Sequence, residues 1–297
     1  MEKFTMKIII TIPAYNEENT IIPVIREIKN VMANTSYNYK IHVQDDGSTD
    51  KTAELAKNEG AIVHSNTRNL GLAETFQLEL ENCIKLKADV IVHTDADGQY
   101  SPEYIPKLIK KIEEGYDLVL GSRFRGKIRG MPLTKKLGNR AFAKVISSLT
   151  RLKITDSTTG FRAFTKEVAA NIKFINTFTY TQEQIIRAAK QRFKVIEIPI
   201  ETRKTRDSRL FKSPIEYAIK AWINILRIYR DYDPLKFFGI VGSIFLFFGS
   251  LIGSYFIYLH LTTGITGHLG LMILMLLLIV NGIQVILFGF FADMKKN

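Results

Sequence analysis

Two carboxylates and one amide cluster in the segment Asp95-Ala96-Asp97-Gly98-Gln99, directly after the apolar run Val90-Ile91-Val92. Carboxylate and amide oxygens are hard ligands that suit Mg²⁺ or Mn²⁺ far better than zinc. A strand that ends in such a cluster, inside an α/β pattern, is typical of a site for a metal-bound phosphate. Because Asp-x-Asp also occurs by chance in surface loops, this interpretation needs support from the elements that position the cluster.

The segments around the cluster alternate between apolar strands and amphipathic helices. Strands are expected at residues 8–12, 41–43, 61–63, 89–94 and 118–120, and helices at about 21–32, 50–58, 72–87 and 102–114. This order predicts an α/β fold with a mostly parallel sheet and helices on both faces. Ligands bind beyond the carboxyl ends of such strands, so Tyr15, Asp46 and Asp97, which follow three different strands, are expected to converge there.

The C-terminal part of the chain has the composition of a membrane hairpin. Residues 237–259 and 269–292 contain no charged side chain, and each run is long enough as a helix to cross a hydrocarbon core of about 30 Å. The link at 260–268 has no Lys or Arg, whereas Lys236 precedes the first run and Lys295 and Lys296 follow the second. The positive-inside rule therefore predicts a two-span protein of the cell membrane with both termini and the large N-terminal part in the cytoplasm.

Two further segments, at 134–151 and 213–233, combine apolar and basic side chains at helical spacing and are expected to lie on the membrane surface. Attraction to anionic lipids explains the net charge of +12 more simply than binding to nucleic acid does. We therefore divide the chain into a cytoplasmic α/β domain at 1–212, an amphipathic juxtamembrane helix at 213–233 and a transmembrane hairpin at 234–297. Asn281 and Gln284 lie one turn apart in the second span, which suggests a tight hairpin or a homo-oligomer.

Several other motifs accompany the acidic cluster in a fixed order. They are Pro13-Ala14-Tyr15-Asn16-Glu17-Glu18, Asp45-Asp46-Gly47-Ser48-Thr49-Asp50, Gly121-Ser122-Arg123, Asp156-Ser157-Thr158-Thr159-Gly160-Phe161-Arg162 and Glu197-Ile198-Pro199-Ile200. Together with 95–99, this set resembles the family 2 glycosyltransferases of GT-A fold over roughly residues 6–230. Within that family it is similar to the polyprenyl-phosphate branch, whose two-span members also end in paired membrane helices.

The resemblance implies an inverting enzyme that transfers a sugar from a nucleotide sugar to a polyprenyl phosphate. The implied donors are GDP-mannose, UDP-glucose or a UDP-N-acetylhexosamine, and the implied acceptors are dolichyl or undecaprenyl phosphate. The implied nucleotide-binding residues are Pro13, Tyr15, Glu17, Asp46, Asp95 and Ala96. The implied ligands of a Mg²⁺ or Mn²⁺ cofactor are Asp95, Asp97 and Gln99.

A phosphate acceptor has its own chemical requirements. Its second pKa lies near 6, so at pH 7 it is largely ionised and needs little help from a general base. The difficulty is instead that one anion must approach another, and cations must offset the repulsion. The implied cations are Arg123, Lys135, Arg203 and Arg209.

Asp156 matches a carboxylate that the family places near the acceptor. It is predicted to be catalytic together with Arg123, either as a general base or by orienting a cation such as Arg162.

Two alternative functions compete with this interpretation. The first is transfer to a hydroxyl in a glycolipid or polysaccharide. Against a processive synthase, Gln184-Ile185-Ile186-Arg187 is followed by Ala188, where such enzymes carry tryptophan. The second is a membrane scaffold without catalysis, which the intact carboxylates of the 95–99 cluster argue against. The sequence does not identify the sugar, the base or the polyprenol.

Overall fold

The computed structural model describes residues 6–126, 128, 131, 133–171, 180–203, 214–264 and 268–294. The strands are β1 (Lys7–Ala14), β2 (Asn38–Asp45), β3 (Ile62–Ser65), β4 (Val90–His93), β5 (Leu118–Ser122), β6 (Arg162–Thr165) and β7 (Val195–Pro199). The helices are α1 (Ile21–Met32), α2 (Thr52–Asn58), α3 (Leu72–Lys85), α4 (Ile105–Glu113), α5 (Leu133–Thr150), α6 (Lys166–Asn171), α7 (Tyr180–Lys190), α8 (Pro214–Tyr232), α9 (Pro234–Thr263) and α10 (Leu269–Met294).

The strands form one sheet in the order β3-β2-β1-β4-β6-β5-β7. All neighbours pair in parallel except β6, which runs antiparallel to both β4 and β5. The prediction of a mostly parallel sheet is confirmed, and the antiparallel β6 is an addition to it. The sheet has apolar side chains on both faces, as expected when helices cover both. Along β1, for example, Ile8, Ile9, Ile10 and Ile12 are all fully buried.

Because β6 runs antiparallel to its neighbours, the segment before it lies at the edge of the sheet where β4 and β5 end. Arg162, the first residue of β6, pairs with His93 near the end of β4 and with Leu120 near the end of β5. The segment that precedes β6 therefore lies at the same edge as the segments that follow β4 and β5. As a consequence, residues 156–161 join the residues that follow the parallel strands.

The chain consists of two compact units, 1–217 and 218–297, with the boundary inside α8. In the second unit, α9 and α10 are each long and apolar enough to cross a membrane. On α8, the large apolar side chains of Ile219, Trp222, Ile223 and Leu226 are exposed. In the first unit, Leu133 and Leu137 of α5 are exposed one turn apart.

Glycines bring α9 and α10 close together. A Cβ on Gly242 would lie 2.6 Å from the carbonyl oxygen of Gly282 and 2.5 Å from Cγ1 of Ile286. By contrast, a Cβ on Gly239, less than one turn earlier, would meet no atom within 4 Å. Small residues at such contacts allow the van der Waals packing that holds helices together in lipid.

We expect Gly242→Ala to destabilise the hairpin by roughly 1–3 kcal/mol, because the new methyl group has no room. Gly239→Ala is the matched control, since it makes the same chemical change on an open face of the same helix. Thermal unfolding of both variants in detergent, followed by circular dichroism, measures the difference. Equal melting temperatures for the two variants would contradict the close packing at Gly242.

Candidate active site

The register of the central strands brings the sequence motifs to one edge. Ala14 at the end of β1 pairs with Asp45 at the end of β2, so Tyr15 and Asp46 leave the sheet at the same level. The backbone N–H of Thr94, just after β4, donates to the carbonyl of Thr11 in β1 at 3.1 Å. The predicted convergence of the residues after β1, β2 and β4 follows from this pairing.

A reciprocal set of hydrogen bonds joins the loops after β1 and β2. Asn16 adopts a left-handed backbone conformation with φ of 53°. Its backbone N–H donates to Ser48 Oγ at 3.0 Å, and its side-chain Oδ1 accepts from the N–H of Thr49 at 2.9 Å. Tyr15 beside it is 42% exposed, so its ring is available for stacking. Pro13, one residue before the end of β1, is half-buried.

Asp46 organises a third loop at this edge. Its Oδ1 accepts from the side-chain amide of Asn66 at 2.9 Å and from the N–H of Leu70 at 2.8 Å, while Oδ2 accepts from the N–H of Gly71 at 3.1 Å. A carboxylate has about four acceptor positions, so little capacity is left for a ligand. Asp46 therefore holds the loop before α3 in place and presents one remaining lone pair.

Glu17 is buried at the start of α1 and is held from two sides. Its backbone N–H donates to Thr52 Oγ1 at 2.8 Å, and its Oε2 accepts from Thr20 Oγ1 at 2.7 Å. Thr52 also contacts Asp50, which in turn accepts from the N–H of Glu18 at 3.2 Å. These hydrogen bonds hold the loops after β1 and β2 in a defined position relative to each other.

The acidic cluster follows β4 in a tight turn. Gly98 has φ of +71°, a left-handed conformation that favours glycine, and Asp97 Oδ1 accepts from the N–H of Gln99 at 2.9 Å. Ala96 is buried. A Cβ on Gly160 would lie 2.7 Å from Asp95 Oδ1, so the loop before β6 packs directly against this carboxylate.

A buried polar network lies beneath Asp95. Glu79 Oε1 is 2.7 Å from His93 Nδ1, while His93 Nε2 is 3.2 Å from the hydroxyl of Tyr180 and 3.9 Å from Asp95 Oδ1. Burial raises the pKa of Asp95 to about 6, and the neighbouring charge of Asp97 adds to this while His93 and nearby arginines counter it. Both carboxylates would be stabilised by a positive charge between them.

The oxygen atoms of Asp95, Asp97 and Gln99 can hold a divalent cation only when a bound ligand supplies the remaining coordination positions. Among the described residues, no group of three or more His, Cys, Asp or Glu side chains could hold a metal ion. Asp95, Asp97 and Gln99 are half-buried, so they can offer hard oxygen atoms while leaving coordination positions open. A diphosphate would supply the missing oxygens, which fits a site for Mg²⁺ or Mn²⁺ rather than a closed structural metal centre.

Arg123 and Asp156 form a buried two-point ion pair. Arg123 Nε and Nη2 donate to the two oxygens of Asp156 at 2.7 and 2.8 Å, and the backbone N–H of Arg123 donates to Oδ2 at 3.1 Å. Nη2 also donates to Thr158 Oγ1 at 2.8 Å, whereas Nη1 has no hydrogen-bond partner within the described part of the chain. Burial disfavours the charge of Arg123, but Tyr100 and Asp156 outweigh it and raise its pKa further.

This pairing distinguishes between the roles predicted for Asp156. Asp156 is fully buried, and both its oxygens are engaged by Arg123. Arg162, the other candidate cation, is also fully buried and donates instead to the carbonyls of Thr181 and Thr159 and to Gln184 Oε1. The geometry therefore favours a carboxylate that orients Arg123 over a general base.

The other cations predicted from sequence lie elsewhere. Arg203 pairs with both oxygens of Glu27 on α1, and its backbone N–H donates to the carbonyl of Gln99 at 3.0 Å. Its guanidinium thus faces α1, while its backbone adjoins the acidic cluster. Lys135 lies in the first turn of α5, but its side chain is outside the described residues, as is Arg209.

Two functional features were not assigned from the sequence. Glu197 was recognised only as part of a motif, yet its carboxylate holds the backbone N–H groups of Thr155 and Asp156 at 2.7 and 2.9 Å. The pair Glu79–His93 was also missed. For Glu197 and His93 the available signal is a polar residue within an otherwise apolar strand, and for Glu79 it is a charged residue on the same helical face as Phe76 and Cys83.

Comparison with solved structures identifies the type of fold. Glucosyl-3-phosphoglycerate synthase from Mycobacterium tuberculosis, solved with Mn²⁺, UDP and glucosyl-3-phosphoglycerate, superposes with a TM-score of 0.59 and 22% identity, covering 75% of this chain and 79% of that one. A second structure of that protein, with phosphoglyceric acid, gives a TM-score of 0.61. The likeness to these structures shows that this chain has the GT-A fold.

The chain belongs to glycosyl transferase family 2, whose sequence profile matches residues 9–173. A UDP-N-acetylglucosamine–dolichyl-phosphate N-acetylglucosaminyltransferase from Methanococcus voltae is 30% identical over 74% of this chain and 95% of its own length. A dolichol-phosphate mannosyltransferase from Pyrococcus furiosus is 30% identical over 88% of this chain and 74% of its own. A dolichyl-phosphate hexose transferase from Haloferax volcanii is 32% identical over 64% of this chain and 80% of its own length.

Proposed function

We propose that this enzyme transfers a sugar from a nucleotide sugar to a polyprenyl phosphate at the cytoplasmic face of a membrane. The observation that carries the proposal is the ion pair of Arg123 with Asp156, which fixes a buried guanidinium at the edge of the sheet and, among the described residues, leaves its Nη1 donors available. Guanidinium groups bind phosphate oxygens through directed hydrogen bonds. The names of three relatives, all dolichyl- or dolichol-phosphate sugar transferases, support the same acceptor class.

The donor half of the site would bind the nucleotide. Tyr15 would stack on the base, and Glu17 and the remaining lone pair of Asp46 would accept hydrogen bonds from base or ribose. Asp95, Asp97 and Gln99 would hold a divalent cation together with the diphosphate. When bound, that cation supplies positive charge that offsets the negative charge developing on the leaving diphosphate.

The acceptor half would hold an anion close to the anomeric carbon. Arg123 would orient the lipid phosphate, and we assign Lys135, Arg203 and Arg209 to further contacts with phosphate. For Arg203, this requires release from Glu27. One oxygen of the ionised phosphate would attack the anomeric carbon from the face opposite the leaving group, which inverts the configuration. Because the phosphate is already ionised near pH 7, no carboxylate has to remove a proton.

The same argument weakens the alternative of a hydroxyl acceptor. A sugar or lipid hydroxyl needs a general base within hydrogen-bond reach. Asp156, the carboxylate that the sequence offered for this role, has both oxygens engaged by Arg123. A non-catalytic scaffold is equally disfavoured, because Asp95, Asp97 and Gln99 are all present at the end of β4.

The C-terminal helices α9 and α10 support a membrane location with two spans. Basic residues beside a membrane span favour the cytoplasmic side, and Lys236 lies at the start of the first span. We therefore assign the α/β domain and both termini to the cytoplasm. The exposed apolar side chains on α5 and α8 would then lie at the lipid interface, where basic neighbours contact anionic headgroups. The lipid phosphate would thus meet the catalytic domain at the bilayer surface.

The experiment is a donor and acceptor screen with purified full-length protein in detergent. GDP-mannose, UDP-glucose and UDP-N-acetylglucosamine are each incubated with dolichyl or undecaprenyl phosphate and either Mg²⁺ or Mn²⁺. The expected result is transfer to the lipid phosphate, lost on adding a chelator. Transfer to the free polyprenol but not to its phosphate would support the hydroxyl alternative, and folded protein without turnover on any pair would overturn the proposal.

We also infer self-association through α10. Asn281 and Gln284 are exposed on this helix. Within the described part of the chain, the side-chain amide of Asn281 donates only to the carbonyl of Leu277 in the same helix, at 2.7 Å. Carboxamides carry both donors and acceptors, so the same pair on a second copy could satisfy them in lipid. Replacing both residues with leucine is expected to shift the mass in detergent, measured by light scattering, towards the monomer. An unchanged mass would refute this inference.

A further inference from the structure

We propose that Glu197 is a positioning residue that holds Arg123 and Asp156 in their working geometry. Glu197 lies in β7, and its side chain is 1% exposed, so it would not contact either substrate. The inference rests on the proposed function, which assigns the ion pair of Arg123 and Asp156 to the acceptor phosphate. Glu197 acts on that pair through the backbone segments that carry it.

The Glu197 carboxylate is fully occupied by its surroundings. Oε1 accepts from the backbone N–H groups of Thr155 and Asp156 at 2.7 and 2.9 Å. Oε2 accepts from Thr155 Oγ1 at 2.7 Å and lies 3.1 Å from Arg125 Nε. Three of these contacts are hydrogen bonds and the fourth is an ion pair, and a neutral amide cannot reproduce all of them.

Glu197, Thr155, Ser122 and Arg125 are joined by polar contacts into a closed ring. Thr155 Oγ1 is 2.7 Å from Ser122 Oγ, and Ser122 Oγ accepts from the N–H of Arg125 at 3.2 Å. Arg125 returns to Glu197 through its ion pair and through Nη1, which donates to the Glu197 carbonyl at 3.3 Å. Because Thr155 gives its single proton to the carboxylate, Ser122 must donate to Thr155. The negative charge of Glu197 thus sets the direction of the ring's hydrogen bonds.

The ring controls the backbone on both sides of the ion pair. Arg123 directly follows Ser122 at the end of β5, and Asp156 directly follows Thr155 in the loop before β6. The strand that carries Glu197 is also the neighbour of β5, with Leu120 paired to Glu197. Displacing either backbone segment would break the two-point geometry of Arg123 with Asp156, although neither residue itself is changed.

The test is Glu197→Gln, which keeps the size but places an NH₂ group where one oxygen accepted. With the nucleotide sugar and polyprenyl phosphate that support turnover in the donor and acceptor screen, kcat/KM for the lipid phosphate is expected to fall roughly 10- to 100-fold, because small displacements of a positioning group cost this much. The Kd for UDP or GDP with Mn²⁺, measured by calorimetry, should stay within about twofold, since Tyr15 and Asp46 follow β1 and β2.

Asp117→Asn is the matched control. Asp117 Oδ2 accepts from the N–H of Lys194 at 2.7 Å, so it joins β5 and β7 at their opposite end. This variant should leave kcat/KM for the acceptor unchanged. If Glu197→Gln does not fold, Thr155→Val opens the ring while retaining the contacts of Glu197 with both backbone N–H groups, and it should give a smaller loss in the same direction.

Three results would overturn the positioning role. The first is wild-type acceptor kinetics in both Glu197→Gln and Thr155→Val. The second is an equal loss of nucleotide affinity and acceptor kinetics, which indicates a general structural role. The third is an effect of Asp117→Asn as large as that of Glu197→Gln. A wild-type enzyme that transfers no sugar to any lipid phosphate would instead overturn the proposed function, and the positioning role with it.

Discussion

Replacement of Asp97 by asparagine is expected to lower turnover by at least about a thousandfold. Asp97 follows β4 in the turn that presents the hard oxygen ligands, and its Oδ1 also orders that turn by accepting from the N–H of Gln99. Stabilisation of the leaving diphosphate by a cation contributes several kcal/mol, and each 1.4 kcal/mol corresponds to about a tenfold rate change. An amide weakens the cation's binding by removing a negative charge from its site.

Two quantities are measured: the turnover of each variant, and its affinity for Mn²⁺ in the presence of UDP or GDP, determined by calorimetry. Asp89→Asn is the control, because Asp89 directly precedes β4 at its other end, where its Oδ2 accepts from the N–H of Lys7 at 2.9 Å. That variant should bind Mn²⁺ as the wild type does. Full turnover of Asp97→Asn, or turnover of the wild type that survives a chelator, would contradict the assignment of the metal ligands.

Arg123→Lys is expected to reduce kcat/KM for the lipid phosphate by about a hundredfold or more. Lysine keeps the charge but cannot bind both Asp156 oxygens and a phosphate at once, because it lacks the planar fork of donors. If Asp156 were instead a general base, a lysine at 123 would leave its chemistry nearly intact. The size of the loss therefore separates an orienting carboxylate from a proton acceptor.

Arg187→Lys provides the comparison for this second prediction. Arg187 also forms a partly buried ion pair, with Glu183 at 2.9 Å, but along α7. Only Arg123→Lys should lose acceptor kinetics, whereas Arg187→Lys should retain them. Near-wild-type kinetics for Arg123→Lys would remove this residue from the acceptor site.

The sequence predicts which strands end at the motifs assigned to the donor, because those motifs and the strands before them are local patterns. The apolar runs of β1, β2 and β4 each end at a motif, and parallel strands end at a common edge. The turn that carries Asp97 was recognisable for the same reason, since the turn residues and the preceding strand are neighbours in the chain. The apolar helices α9 and α10 were equally visible from composition alone.

The acceptor half was less predictable because its contacts are long-range. The sequence does not identify the partner of Asp156, since 33 residues separate it from Arg123 in the chain. Glu197 was assigned no role, because its contacts with Thr155 span 42 residues. No periodicity or spacing encodes such pairs.

The chain's own sequence thus determined the class of fold, the acidic turn after β4 and the two apolar C-terminal helices, all of which arise from neighbouring residues. The tertiary structure decided that β6 runs against its neighbours, which places Asp156 beside Arg123 at the edge where the parallel strands end. It also placed the carboxylate of Glu197 against the backbone N–H groups of Thr155 and Asp156. The physical reason is that strand direction and buried ion pairs depend on packing between distant segments, whereas turns and apolar runs depend on residues close together in the chain.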